Sequence, residues 1–439
     1  MVRGLLIALL SACTPEGPTE APPVVNTAPV AAPVVRLPEG ARIVTDISGS
    51  MQGFLFTGST RLTQLHEELT GAVGSRVPGS LEYCLVSNGV VCDGKNDLGR
   101  YSKNLYTGSE SRFDKALDLA ADDGPSARRA TIVVTDGVYG GGSAAQASLA
   151  GCASGATAAC ISERLSQLVD GGFGVWAVAV ALPFNGKVYA ERAMDNDQFA
   201  RMKAGLGDHQ QVSEFKASAT DASFKYAGPR PLLVLIVSKD AALGAALSAD
   251  VAARFARIGL ADPSGAGIQQ AELSPLASLE AQLRPVITAG RIDRIATPGF
   301  QLGKQGAVPG GYALIARCGG TDNGALRLDG QNIHADTALS AEAPAGVAPR
   351  LKAEEGWISL GLVCNPLPAG GTTDMKFTLR GNPQVAAYLP PWVSSWSSPD
   401  TWSHPDRLFG LDQLATAAVR GALGRLPLDS TLHVRIERP

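Results

Sequence analysis

Two kinds of apolar pattern alternate along the first 260 residues. Short unbroken runs at Arg42-Ile43-Val44-Thr45, Ala130-Thr131-Ile132-Val133-Val134-Thr135, Val175-Trp176-Ala177-Val178-Ala179-Val180 and Pro231-Leu232-Leu233-Val234-Leu235-Ile236-Val237 have the length and composition of strands buried on both faces. Between the first two lie stretches that read as helices, at Arg61 to Val73 and from near Ser111 through Phe113-Asp114-Lys115-Ala116-Leu117, and an amphipathic helix at Ala241 to Ile258 follows the last. Leu81 to Cys92 reads as a hairpin, with Ser87-Asn88-Gly89 as its loop and Gly89 in the left-handed position. Strands alternating with helices predict an α/β fold, a doubly wound and mostly parallel sheet with helices on both faces. Residues 183–228 interrupt the pattern and are expected as an insertion in a domain spanning 40–260. A new domain starting near 229 is the alternative.

After residue 261 the pattern weakens. Gly and Pro recur, and the apolar runs Tyr312 to Ala316, Ile358 to Val363, Met375 to Leu379 and Leu432 to Ile436 predict strands, with a helix at Leu408 to Leu423. Residues 261–439 are therefore expected to form a β-rich module. Trp392, Trp396 and Trp402 cluster near Tyr388, where aromatics either stack on a sugar ring or fill a core.

Composition narrows the function classes. There are 38 basic and 41 acidic residues, a net charge of −3, and no basic patch to favour nucleic acid. Seven cysteines are an odd number for an exported chain. Met1 to Ala12 holds one Arg and then a short apolar run, too short to span a bilayer. Leu10-Ser11-Ala12-Cys13 resembles the lipobox of bacterial lipoproteins, which implies a signal peptide at 1–12 and a lipid on Cys13. Thr14, rather than Asp, follows the cysteine, which by resemblance to the sorting pattern of Gram-negative cells implies the outer membrane. The Pro- and Ala-rich segment 13–39 is then a semi-extended linker, at most ~3.1 Å per residue. Six cysteines remain. Cys84 and Cys92 face each other across the hairpin, Cys152 and Cys160 bracket a small loop, and Cys318 and Cys364 are left as a third pair. Zinc is the competing reading, but no C-x-x-C is present.

The chemistry gathers at strand ends. The first buried strand delivers Asp46-Ile47-Ser48-Gly49-Ser50, and the second delivers Thr135-Asp136-Gly137. Ligands of such sheets sit beyond the carboxyl ends of the strands. Asp46-x-Ser48-x-Ser50 resembles the D-x-S-x-S motif of von Willebrand factor A domains, and Thr135-Asp136-Gly137 resembles that family's second acidic element. The resemblance covers residues 40 to 185 and extends toward 258. It implies a metal-ion-dependent adhesion site holding Mg²⁺ or Mn²⁺ on Asp46, Ser48, Ser50, Asp136 and a further hydroxyl. The family has Thr at that last position; here Ser111 takes the place, with Thr107 as the alternative. A hard cation wants six oxygens and keeps several waters. Neutral hydroxyl ligands leave it electrophilic, with an open position for an Asp or Glu of a protein partner.

Other motifs are weaker. No G-x-S-x-G surrounds Ser50, and the five histidines (66, 209, 334, 404 and 433) form no base–nucleophile motif. Asp195-Asn196-Asp197 departs from a calcium loop, and Asp197 is expected to cap a helix from Gln198 to Leu206. Gly140-Gly141-Gly142 lacks the Lys-Ser/Thr of a phosphate loop and is expected to form a rim beside the metal edge. The chain thus reads as a lipid-anchored, metal-dependent interaction protein of the cell envelope and not an enzyme. The rivals are a hydrolytic or glycan-processing activity in the C-terminal half, and a metal-free scaffold of an envelope assembly.

Overall fold

Alternation within the buried runs gives the sheet two apolar faces. Ile43, Ile132, Val134, Val178 and Ile236 point to one side, and Val44, Val133, Ala177, Leu235 and Val237 to the other, all buried. The computed structural model describes residues 40–56, 60–77, 79–92, 102–122, 129–139, 157–190, 194–207, 209–217, 222–260, 267–295, 300–319, 323–343, 349–363, 367–381 and 388–439. Cys13 and the linker lie outside them, as do Gly140 to Gly142, Cys152 and Cys364. No helix among the described residues is long and apolar enough to cross a membrane.

The first sheet is built from β1 (Gly40–Asp46), β2 (Ser80–Val86), β3 (Val90–Cys92), β4 (Arg129–Thr135), β5 (Gly174–Tyr189), β6 (Val212–Ala217), β7 (Ala222–Ser238) and β8 (Ile268–Glu272). Its order is β3-β2-β1-β4-β7-β5-β8, with β6 on the outer part of β7. β1, β2, β4, β5 and β6 run one way, and β3, β7 and β8 the other. The fold is mixed α/β, with helices on both faces. α1 (Arg61–Arg76) and α5 (Ala241–Arg257) cover one side; α2 (Phe113–Asp122) and α3 (Thr157–Asp170) cover the other.

Two features differ from the sequence pattern. β7 enters antiparallel between β4 and β5, so β5 is not the neighbour of β4. The strands β5 and β7 also run further than their apolar cores. They pair from Gly174↔Ser238 to Tyr189↔Ser223, so most of the expected insertion is a hairpin arm closed by α4 (Asn196–Leu206) and β6. Pairing between β4 and β7 ends at Thr135↔Leu233, which leaves the first half of β7 projecting beyond the carboxyl end of β4. The cap of α4 is Asp195, in a capping box with Gln198, rather than Asp197. The β2–β3 hairpin has the expected register, Cys84↔Cys92, and the two cysteines form a disulfide. Its Gly89 is not left-handed; the Ser87 N–H donates to the Gly89 carbonyl (3.0 Å) without a positive φ there.

Beyond β8 come α6 (Leu276–Leu283) and a β-sandwich. One sheet is β14-β15-β12-β9, from β9 (Val286–Ile295), β12 (Asn323–Gln331), β14 (Arg350–Glu354) and β15 (Trp357–Val363). The other is β10-β11-β19-β16-β13, from β10 (Phe300–Val308), β11 (Gly311–Cys318), β13 (Ala338–Glu342), β16 (Thr372–Arg380) and β19 (Asp429–Glu437). Leu326, Leu328, Ile358 and Leu360 meet Leu314, Phe377, Leu432 and Val434 in its core. Between β16 and β19 the chain returns to the first sheet through α7 (Pro391–Trp396), β17 (Ser397–Ser398), β18 (Leu408–Phe409) and α8 (Leu411–Arg425). Trp392 and Trp396 meet edge to face at 6.1 Å and pack on that same core, with Tyr388 beside it.

α8 sits directly on α3. A Cβ on Gly421 would lie 2.7 Å from the Ser166 carbonyl oxygen, whereas one on Gly424 meets nothing closer than 3.7 Å. Gly421→Ala is therefore expected to destabilise the chain by about 1–3 kcal/mol through overpacking. Gly424→Ala is expected to be neutral or to stabilise by up to about 1 kcal/mol through helix propensity. Urea unfolding of both variants checks the contrast.

Candidate metal centre

Strand register places two carboxylates together. β1 and β4 are adjacent and parallel with Thr45 opposite Val134, so Asp46 falls beside Thr135 and the Thr135-Asp136 step. Both chains turn away there, and both carboxyl groups are buried, Asp46 at 0% and Asp136 at 1% exposure. The loop after Asp46 is tied down by its own backbone. Ile47 N–H donates to the Val86 carbonyl (2.9 Å), Gly49 N–H to the Gly108 carbonyl (2.9 Å), and Gly108 N–H to the Ile47 carbonyl (3.2 Å). This close approach needs a glycine: a Cβ on Gly108 would stand 2.5 Å from that of Ser87. Arg112 N–H donates to the Ser87 carbonyl (2.8 Å), which brings Ser111 in from the start of α2.

The hydroxyls then converge on Asp46. Its Oδ1 accepts from Ser48 N–H (2.8 Å), and its Oδ2 from Ser111 Oγ (2.6 Å) and Thr135 Oγ1 (2.8 Å). Ser48 Oγ and Ser50 Oγ are 3.0 Å apart, and Ser50 Oγ donates to Asp136 Oδ1 (3.3 Å). Asp46, Ser48, Ser50, Ser111 and Asp136 thus form one connected cluster, with none of the five more than 5% exposed. Of the two candidates for the further hydroxyl, Ser111 reaches Asp46, while Thr107 is exposed on the preceding turn.

The sequence pattern did not point to Arg230. It sits between Pro229 and Pro231 in the projecting half of β7, beyond the end of β4, and is 98% shielded with an exposure of 2%. Its Nη2 donates to Asp136 Oδ2 (3.3 Å) and its Nη1 to the Pro405 carbonyl (3.0 Å). Its guanidinium lies 5.2 Å from the centroid of the Phe184 ring. An arginine just ahead of the apolar run Leu232 to Val237 was the available signal. The segment joining β17 to β18 supplies Pro405, and Leu408 packs on Gly137, whose φ of +72° favours glycine.

Charge explains what such a cluster needs. Burial, and then the Asp136 carboxylate, push the Asp46 carboxyl up to about 6, against the hydrogen bonds from Ser111 and Ser48. Two buried acids and one buried arginine leave excess negative charge beside three hydroxyl oxygens. That donor set suits a hard divalent cation. A different trio, Glu82, Cys84 and Cys92, also lies within ligand reach. The two sulfurs there are bonded to each other, so neither offers a thiolate. Cys160 and Cys318 are each disulfide-bonded. No family model, curated protein or solved structure matches this chain.

The raised Asp46 group makes stability depend on pH. Folded chain holds this proton up to about pH 6, while unfolded chain releases it near 3.8. The folded state therefore binds more protons between those values, and its stability falls as pH rises from about 4 to 6. The loss from this group is on the order of 2–3 kcal/mol. Asp46→Asn should remove that component, so the variant gains on wild type across the interval. Denaturant titrations of both in EDTA, from pH 4 to 7, measure it. Parallel curves for the two chains would contradict the assignment.

Proposed function

We infer that this chain is a metal-dependent interaction protein whose first sheet is a von Willebrand factor A-type domain. The observation that carries this is the convergence of Ser48, Ser50 and Ser111 on the buried pair Asp46 and Asp136, at the carboxyl ends of adjacent parallel strands. Ser48, Ser50 and Ser111 would offer neutral hydroxyl oxygens to Mg²⁺ or Mn²⁺, and Asp46 and Asp136 negative charge. The bound ion would supply Lewis acidity toward a carboxylate from a partner protein. The chain's own residues do the positioning: the Gly108 turn fixes the Ser48–Ser50 loop, and the start of α2 fixes Ser111. The reading is of binding rather than catalysis. It extends to an envelope location through a lipid on Cys13 and the linker after it, on the strength of the lipobox resemblance.

A second reading has its own support. Arg230 already pairs with Asp136, and the cluster is closed by internal hydrogen bonds, as a metal-free structural knot would be. Thermal unfolding of the full chain separates the two. A ligand at 100 times its Kd that binds only folded chain adds about 2.7 kcal/mol. Millimolar Mg²⁺ or Mn²⁺ should then raise the wild-type midpoint over EDTA by a few degrees. Asp46→Ala and Ser50→Ala should show no such rise. An unmoved wild-type midpoint would favour the scaffold.

A further inference from the structure

We propose that Arg230 is a tethered competitor for the divalent cation: it holds Asp136 in the metal-free chain, must yield that carboxylate on metal binding, and so sets the metal affinity of the centre. This rests on the metal reading above. The pair is among the most secluded in the molecule, with side-chain exposures of 2% for Arg230 and 0% for Asp136. Its geometry is loose for an arginine–carboxylate pair. One nitrogen reaches one oxygen at 3.3 Å, whereas Arg112 grips Asp114 through two, at 2.9 and 2.8 Å. The Nε of Arg230 is buried and has no hydrogen-bond partner among the described residues. A buried guanidinium with an unused donor is poorly satisfied as a purely structural element.

Asp136 is shared in a way that makes competition direct. Its Oδ2 faces Arg230, while its Oδ1 accepts from Ser50 Oγ (3.3 Å) and Val138 N–H (3.1 Å). A cation on the Ser48 and Ser50 hydroxyls would draw on the same carboxylate and stand near a fixed positive charge in a region closed to water. Like charges repel most strongly where water is excluded. Arg230 cannot simply swing into solvent. Phe184 lies against it, Pro231 after it confines its backbone to the extended region, and the Pro405 carbonyl holds its other nitrogen. Its charge therefore stays near the centre and opposes the ion.

The test is Mn²⁺ binding to the full chain, read by the electron paramagnetic resonance of free Mn²⁺ and by the unfolding midpoint. Arg230→Gln keeps a donor for Pro405 and loses the charge. Its expected affinity for Mn²⁺ is at least tenfold above wild type. Arg230→Met should move in the same direction, and Arg230→Lys should stay near wild type. Adding Ser50→Ala to Arg230→Gln should abolish the gain. If Arg230→Gln fails to fold, Arg230→Met carries the same expectation. Wild-type binding with no gain in either neutral variant would overturn the inference and leave the metal reading standing, as would an equal gain in Arg230→Lys. Binding by the neutral variants alone would support Arg230 as the competitor and count against metal binding by the wild-type chain. No binding by any of these chains at millimolar Mn²⁺ would overturn both.

Discussion

Two like charges held together out of water are the constraint on which the centre depends. Asp46 and Asp136 are brought side by side by the register of β1 and β4, a consequence of packing and not of any attraction between them. Every other feature of the centre offsets that repulsion. Three hydroxyls and a backbone N–H surround Asp46, Arg230 faces Asp136, and the Asp46 carboxyl retains its proton further up the pH scale than an exposed acid. We propose that a divalent ion neutralises the pair, and the hydroxyl donors suit it.

The antiparallel entry of β7 determines how the centre is enclosed. A parallel strand next to β4 would end near the same edge as β4. An antiparallel one arrives from beyond it, and brings Arg230 over Asp136 before pairing with Thr135 through Leu233. The arm formed with β5 also presents Phe184, which packs against Phe54 at 5.0 Å and so steadies the turn that follows Ser50. From the other side, the return of the chain between β17 and β18 sets Leu408 on Gly137 and Pro405 on Arg230. Residues far apart in sequence thus share one small volume.

Local signals in the sequence were legible and long-range ones were not. Unbroken apolar runs located β1, β4, β5 and β7, because burial on both faces leaves no other pattern. Asp46, Ser48, Ser50, Ser111 and Asp136 were legible as candidates, since each sits where a strand or helix begins or ends. The hairpin register followed from loop length, and the Cys84–Cys92 disulfide with it. The place of β7 was hidden, because pairing partners are chosen by the whole sheet and not by the strand. The same holds for the docking of α8 on α3. Arg230 was missed for that reason: an arginine between two prolines looks like a strand boundary until the topology sets it beside Asp136. Smaller misreadings at Gly89 and Asp197 were of turn and cap geometry, where an offset of one or two residues changes the conformer required.

The most direct measurement is anomalous scattering from crystals of this chain grown at neutral pH and soaked in Mn²⁺. The account predicts a manganese peak on the hydroxyl oxygens of Ser48 and Ser50, with Asp136 drawn away from Arg230. Crystals with no peak there, and with Arg230 still paired to Asp136 at millimolar Mn²⁺, would contradict it.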